Sequence, residues 1–209
     1  MKKDLIELQR ADQVAGFLAK AQEQVNANDY GSAFKTLDSA SRLDAGNPDI
    51  ERMMSKVRPK FEAEEKARKS KLSPTERFKE QGDEAYKKAD FEGAIVHYTA
   101  CLKALGDGGT RSELALKCYG NRAACYKQIS NFDGTIQDCT AVIEVKPDDV
   151  KSLVRRAQAF EAVERYKFAL QDVKHVLAMP YAEVGEANYQ LCNGMQHRLN
   201  RVVEQLKNM

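Results

Sequence analysis

A pattern of small and aromatic residues recurs three times in the second half of the chain. Gly82, Ala123 and Ala157 each lie within a predicted helix, 41 and then 34 residues apart. An aromatic residue follows each of them after nine residues: Phe91, Phe132 and Tyr166. Small residues let the two helices of a pair approach closely, and larger apolar residues fill the space between neighbouring pairs. The pattern therefore predicts an all-α array of stacked helical hairpins.

The spacing of 34 residues is the period of the tetratricopeptide repeat, whose units must stack to bury their apolar faces. We therefore expect a tetratricopeptide-repeat solenoid of helical hairpins. The longer first spacing places seven additional residues near Gly106 and Gly109, which predicts a lengthened surface loop there. A weaker copy spans residues 14–47, and Asn47 and Pro48 open a further helix that runs to about Ser70.

The sequence predicts a domain boundary at Ser73. Ser73 can cap a helix, Pro74 suits its first turn and Glu76 completes a capping box. Residues 1–72 are then an N-terminal helical region with one repeat-like unit and a following helix, and residues 73–209 are a three-repeat domain with a C-terminal capping helix.

The capping helix is predicted to run from about residue 182 to residue 207 as one long amphipathic helix. Terminal repeats need such a cap, and a coiled-coil dimer helix is the alternative. The apolar face is predicted to comprise Val184, Leu191, Met195, Leu199, Val202, Val203 and Leu206.

Composition excludes several classes of function. The formal charge of +2 argues against nucleic-acid binding, and no apolar stretch is long enough to span a membrane. Five cysteines without a Cys-x-x-Cys pair predict buried free thiols in a reducing compartment, so we expect a cytoplasmic protein. The sequence carries no nucleophile elbow, phosphate loop, dinucleotide fingerprint or metal-ligand spacing of its three histidines. We expect no enzyme activity, no cofactor and no metal.

Five polar residues fall on the first helices of the three hairpins: Lys79, Asp83, Asn121, Lys151 and Arg155. The first helix of each pair lines the concave surface of such a solenoid, so stacking directs these side chains into one groove. Residues four apart share a helix face, as Lys79 does with Asp83 and Lys151 with Arg155. Two ammonium groups, a guanidinium and an amide suit a carboxylate ligand. The alternative is that they are ordinary solvated charges on helix faces.

The segments at residues 78–83, 119–126 and 151–157 resemble the three-repeat domains of heat shock co-chaperones. The resemblance covers about half of the chain. In that family a carboxylate clamp of Lys, Asn, Asn, Lys and Arg holds the last residue of a Glu-Glu-Val-Asp tail. Such tails end the cytosolic seventy- and ninety-kilodalton heat shock chaperones. The resemblance implies that four clamp positions are filled here: Lys79, Asn121, Lys151 and Arg155.

Asp83 departs from the family pattern, because it stands where the clamp has an asparagine. It could pair with Lys79 or Arg155 and weaken carboxylate binding. It could instead select a different ligand, such as a tail that carries an added positive group.

Three other functions remain as alternatives. The repeats are also similar to those of axonemal dynein-assembly, sperm-associated and myosin co-chaperones, which suggests an assembly scaffold with a different groove peptide. Enzymatic clamp proteins carry a fused catalytic domain, for which no residues remain, and an organelle-import receptor would need a membrane anchor. In residues 1–72, Leu18 and Gln22 occupy the positions of Lys79 and Asp83, so we expect no second clamp there. This region could pack on the main domain or contact another protein, such as a client.

Overall fold

The computed structural model describes residues 2–207, which form eleven α-helices and no β-strand. The helices are α1 (Lys2–Asn26), α2 (Tyr30–Leu43), α3 (Pro48–Ser70), α4 (Pro74–Lys87), α5 (Phe91–Gly109), α6 (Glu113–Gln128), α7 (Phe132–Ile143), α8 (Val150–Ala162), α9 (Tyr166–Ala178), α10 (Tyr181–Val184) and α11 (Glu186–Lys207). The predicted all-α solenoid of helical hairpins is confirmed. The chain divides into two compact units, Met1–Leu72 and Ser73–Met209.

The first unit is a helical hairpin followed by a long helix. Helices α1 and α2 pack together, and α3 packs against α2. Asn47 caps α3 by accepting hydrogen bonds from the backbone N–H groups of Asp49 and Ile50. The core is apolar and consists of Val14, Ala21, Ala33, Leu37, Ala40, Ile50 and Val57.

The second unit stacks three hairpins, α4/α5, α6/α7 and α8/α9, in chain order. Helix α4 begins with the predicted capping box, in which Ser73 accepts from the Glu76 N–H and the Glu76 carboxylate accepts from the Ser73 N–H. The small residues of the repeat pattern, Gly82, Ala123 and Ala157, are all buried. They allow the helices to approach closely, as the spacing predicted.

The same turn joins the helices of every hairpin. The residue two positions before the second helix starts has a positive φ of 56–59° in all four copies, which are Asn28, Ala89, Ser130 and Glu164. Non-glycine residues seldom adopt this left-handed conformation. Its recurrence shows that the upstream hairpin follows the same local geometry as the three downstream ones.

The predicted loop near Gly106 is wrong. Helix α5 continues to Gly109, with a kink at Gly106, where φ is 63° and ψ is −179°. Glycine tolerates this conformation because it has no Cβ. The seven additional residues therefore lengthen a kinked helix, and Ser112 caps α6 shortly afterwards.

The predicted C-terminal helix is interrupted. Val184 belongs to the short helix α10, and Gly185, at φ 74°, separates it from α11. Helix α11 packs on α9 through Cys192, Met195, Leu199 and Val203. Two residues assigned to the apolar face are largely exposed instead, Leu191 at 39% and Leu206 at 57%.

All five cysteines are free and buried, as predicted. Burial raises the pKa of the Cys125 thiol to about 11 and that of Cys139 to about 12. The thiols are therefore protonated at neutral pH and act as small apolar residues of the core.

Two buried ion pairs each join the two helices of one hairpin, and their arginines also reach the preceding hairpin. Arg156 on α8 donates bidentately to Asp172 on α9, at 2.9 and 2.7 Å, and reaches back to the Thr140 hydroxyl on α7 at 3.0 Å. Arg122 on α6 repeats this arrangement with Asp138 on α7 and with Thr99 on α5. Each arginine thus ties its own hairpin to the preceding one.

We predict that Arg156→Met strongly destabilises the second unit. The substitution leaves the Asp172 carboxylate, which is 4% exposed, without its cation, and breaking a buried pair costs about 3–5 kcal/mol. The matched control is Arg198→Met, which removes an equally bidentate pair with Glu161 at the surface and costs at most about 1 kcal/mol. Urea unfolding followed by circular dichroism measures both losses. Equal losses in the two variants would contradict a special role for the buried pair.

Candidate peptide-binding groove

A cleft of about 230 Å³ lies between the first helices of the second and third hairpins. Helix α6 contributes one wall and helix α8 the other, and the end of α7 closes one side. The cleft is lined by Glu113, Leu116, Lys117, Gly120, Asn121, Val142, Lys146, Asp149, Lys151, Ser152 and Arg155. Three of the five predicted site residues, Asn121, Lys151 and Arg155, therefore line the same space.

Local structure at the start of α8 positions its two cations. The Asp149 carboxylate caps the helix by accepting from the Ser152 N–H at 2.8 Å. Lys151 and Arg155 follow on one face of the first two turns. The Arg155 Nη1 donates to the Gly120 carbonyl at 3.2 Å, which orients the guanidinium towards α6 and the cleft.

The cleft carries an excess of positive charge. Glu113 forms an ion pair with Lys146 at 2.6 Å, which also lowers the pKa of the Glu113 carboxyl, and Asp149 is used as a helix cap. The side chains of Lys117 and Lys151 make no hydrogen bond or ion pair with any residue in the described range 2–207. The remaining cations can therefore attract an anionic ligand.

Lys79 and Asp83 lie on α4 and do not line this cleft. They form an ion pair with each other, with Lys79 Nζ 2.5 Å from Asp83 Oδ2. The other carboxylate oxygen, Oδ1, accepts from the Tyr98 hydroxyl at 2.8 Å and from Asn121 Nδ2 at 3.1 Å. Asn121 therefore joins the α4 pair to the cleft.

The Asp83 carboxylate has three donors from three different helices. Tyr98, on α5, is 1% exposed, and both its burial and its hydrogen bond to Asp83 raise the pKa of the phenol. Both partners of the Lys79–Asp83 pair are about one quarter exposed, so the pair is reachable from solvent. The Asp83 carboxylate thus binds the Lys79 ammonium and the Asn121 amide, the two groups that would contact the ligand according to the family pattern.

Sequence reasoning missed Tyr98 and two further cations, Lys117 and Lys146. Lys117 could have been found, because it precedes Asn121 by four residues and so shares its helix face. Tyr98 had no such signal, since its hydroxyl reaches Asp83 only through the packing of α4 on α5.

Among the residues that the structure describes, no group of histidine, cysteine and acidic side chains is suited to hold a metal ion. Nor does any helix in that part of the chain have the length and apolarity required to cross a membrane.

The stacked hairpins have the fold of a tetratricopeptide-repeat solenoid. No family model matches the chain. Human sperm-associated antigen 1 is 36% identical over 130 residues, which are 61% of this chain and 13% of that protein. Human mitochondrial import receptor subunit TOM34 is 35% identical over 103 residues, or 49% of this chain and 33% of that protein.

A solved structure is similar as well. The TPR domain of Arabidopsis OM64 is 29% identical, with a TM-score of 0.50, and the match covers 61% of this chain and 94% of that domain. The chain spans between about an eighth and a third of the length of the curated relatives it matches. These matches confirm the resemblance to tetratricopeptide-repeat proteins of the co-chaperone type.

We predict that Gly82→Ala disturbs the Asp83 arrangement. A Cβ at residue 82 would lie 2.6 Å from the buried ring of Tyr98, so the ring must shift and its hydrogen bond to Asp83 weakens. We expect a loss of about 1–3 kcal/mol in unfolding free energy. Gly194→Ala on α11 is the control, because its Cβ meets nothing within 4 Å and alanine favours a helix by about 1 kcal/mol. Urea unfolding measures both, and a stable Gly82→Ala variant would contradict the close packing.

Proposed function

We propose that the groove of residues 73–209 binds the acidic C-terminal tail of a cytosolic heat shock chaperone of the seventy- or ninety-kilodalton class. The observation that carries this proposal is the convergence of Asn121, Lys151 and Arg155 on one cleft. An amide, an ammonium and a guanidinium can surround a terminal carboxylate with charge-assisted hydrogen bonds, which are the strong ones. The arrangement suits binding only, so the chain acts as an adaptor and not as an enzyme.

The rim of the cleft supports an acidic ligand beyond its terminal carboxylate. Lys117 extends the positive charge along the cleft, next to Leu116 and Val142, whereas Lys146 is paired with Glu113. A tail that alternates acidic and aliphatic residues has both kinds of partner there. The proposal places this interaction in the cytoplasm, and it leaves residues 1–72 to contact a client protein.

The Asp83 carboxylate favours a second candidate function. It engages Lys79, Tyr98 and Asn121, so Lys79, the predicted clamp cation of α4, is already paired with an anion. The groove of an assembly scaffold would then hold a peptide other than the chaperone tail, using the α8 cations alone. The two candidates differ in whether a Glu-Glu-Val-Asp peptide binds to the unaltered chain.

We predict that a Glu-Glu-Val-Asp peptide with a free C-terminus binds with a Kd of about 1–10 μM, and that the C-terminally amidated peptide does not bind. Arg155→Ala should weaken binding by roughly 10- to 150-fold, because a hydrogen bond to a charged group contributes about 1.5–3 kcal/mol. Calorimetric titration measures these affinities, and binding should fall as salt rises. Arg201→Ala, which removes an exposed arginine from α11, is the control and should bind as the parent does.

Equal binding of the free and amidated peptides would contradict a carboxylate-binding groove. If neither peptide binds, the chaperone-tail proposal is wrong and the scaffold candidate is favoured.

We also predict that Asp83→Asn tightens binding of the free-acid peptide about tenfold or more. The substitution keeps the size of the side chain and its acceptor for Tyr98, but it releases the Lys79 ammonium for the ligand. Glu80→Gln, three residues before Asp83 on α4 and outside the cleft, is the charge-matched control. An unchanged affinity in Asp83→Asn would show that Lys79 does not contribute to the site.

A further inference from the structure

The third hairpin departs from the other two at the start of its second helix. In the first two hairpins, Asp90 and Asn131 accept hydrogen bonds from the N–H groups of Gly93 and Gly134, at 2.9 and 3.0 Å. The residue at this capping position in the third hairpin is Arg165, which makes no side-chain cap. A side-chain acceptor that usually stabilises the start of a helix is therefore missing.

The glycine of the capping turn is also replaced, by Phe168. Glycine is required at residue 134 because a Cβ there would lie 2.9 Å from the ring of Tyr126. In the third hairpin the aromatic ring of Phe168 lies beside that of Phe160, with centroids 5.4 Å apart, and remains 56% exposed. The backbone of the turn is unchanged, since Glu164 keeps the positive φ of 59°.

Both unusual residues line one cleft. It has a volume of about 290 Å³, near the lower end of the range of about 300–1,000 Å³ for ligand pockets. The start of α9 forms one side and the end of α11 the other, where Leu206 is 57% exposed. The lining consists of Glu164, Arg165, Tyr166, Lys167, Phe168, Val203, Leu206 and Lys207.

The charges around this apolar floor are mainly positive. Arg165, Lys167 and Lys207 surround it, with Glu164 as its one acidic residue among the described lining. No side-chain hydrogen bond or ion pair connects these three cations to another residue of the range 2–207. A partner that covers Phe168 and Leu206 would therefore be favoured if it carried carboxylates at its edge.

We propose that this cleft, defined by Arg165, Phe168 and Leu206, binds an acidic amphipathic helix of a partner protein. The helix places an apolar side chain over Phe168 and Leu206, and its flanking carboxylates meet Arg165, Lys167 and Lys207. Helices dock in such grooves through apolar residues one turn apart. Arg165 and Phe168 replace the cap residue and the glycine of the other two hairpins, and both lie on the proposed binding surface. Local sequence rules are typically broken at functional sites. This site does not depend on the carboxylate groove.

The test uses the full chain and a synthetic helix of about 18 residues, long enough to be helical, with leucines along one face, glutamates elsewhere and an amidated C-terminus. A matched peptide carries lysine in place of glutamate. Fluorescence anisotropy should detect binding of the glutamate peptide and a loss of at least tenfold for the lysine peptide. Arg155→Ala, in the other groove, should bind as the parent does, which excludes capture by the carboxylate groove.

Two variants separate binding from folding. Arg165→Asp combined with Phe168→Gly restores the Asp90 and Gly93 pattern of the first hairpin. We expect it to unfold at the same Tm as the parent or a higher one, and to lose peptide binding at least tenfold. Arg165→Glu, a change of one exposed side chain, should weaken binding of the glutamate peptide while the Tm is unchanged.

Parent-like binding by the double variant, or equal binding of the two peptides, would overturn the proposal. A parent that sediments as a dimer, and as a monomer after the double substitution, would also overturn it, because a second copy of the chain would then occupy the cleft.

Discussion

The buried pairing of Arg122 with Asp138 and of Arg156 with Asp172 determines how the groove helices are oriented. In each helix the paired arginine directly follows a groove residue, Asn121 or Arg155. Neighbouring residues of an α-helix point about 100° apart around its axis. When the arginine is held between helices by a bidentate ion pair, the preceding side chain must therefore face the concave surface. The same arginines also donate to Thr99 and Thr140 of the preceding hairpins, so they contribute both to the stacking of the repeats and to the direction of the groove side chains.

The Asp83 carboxylate is an exception to the positive character of that groove. A carboxylate among donors is stabilised by each of them, and here an ammonium, a phenol and an amide all point at it. Tyr98 is buried, and its hydroxyl on α5 together with the amide of Asn121 on α6 holds the Asp83 carboxylate in place. The groove accordingly has two halves: one in which the charges are balanced internally, and one, on α8, where they are available to a ligand.

The sequence allowed the fold to be predicted because the repeat is built from residues with local and periodic signals. Small and aromatic residues recur at fixed distances, and the capping box marks a helix start, so each of these signals predicts one local structure. The kink at Gly106 and the break at Gly185 were missed, because a glycine in a helical pattern does not show whether the chain turns or continues. Of the site, the α8 cations and Asn121 could be assigned from helix periodicity. The Arg122–Asp138 pairing was overlooked although its spacing of 16 residues recurs in Arg156–Asp172.

The last hairpin can tolerate an uncapped helix because other contacts support it. Helix α11 buries Met195 and Leu199 against the apolar cluster that includes Val173 and Val176 of α9. The first two hairpins have their capping side chains within the turn itself, whereas the third has the additional helix packed along it. The packing of α11 on α9 therefore compensates for the missing side-chain cap at the start of α9. The residues of that turn are therefore less constrained by folding, and the exposed aromatic and cationic side chains found there have no structural requirement that explains them.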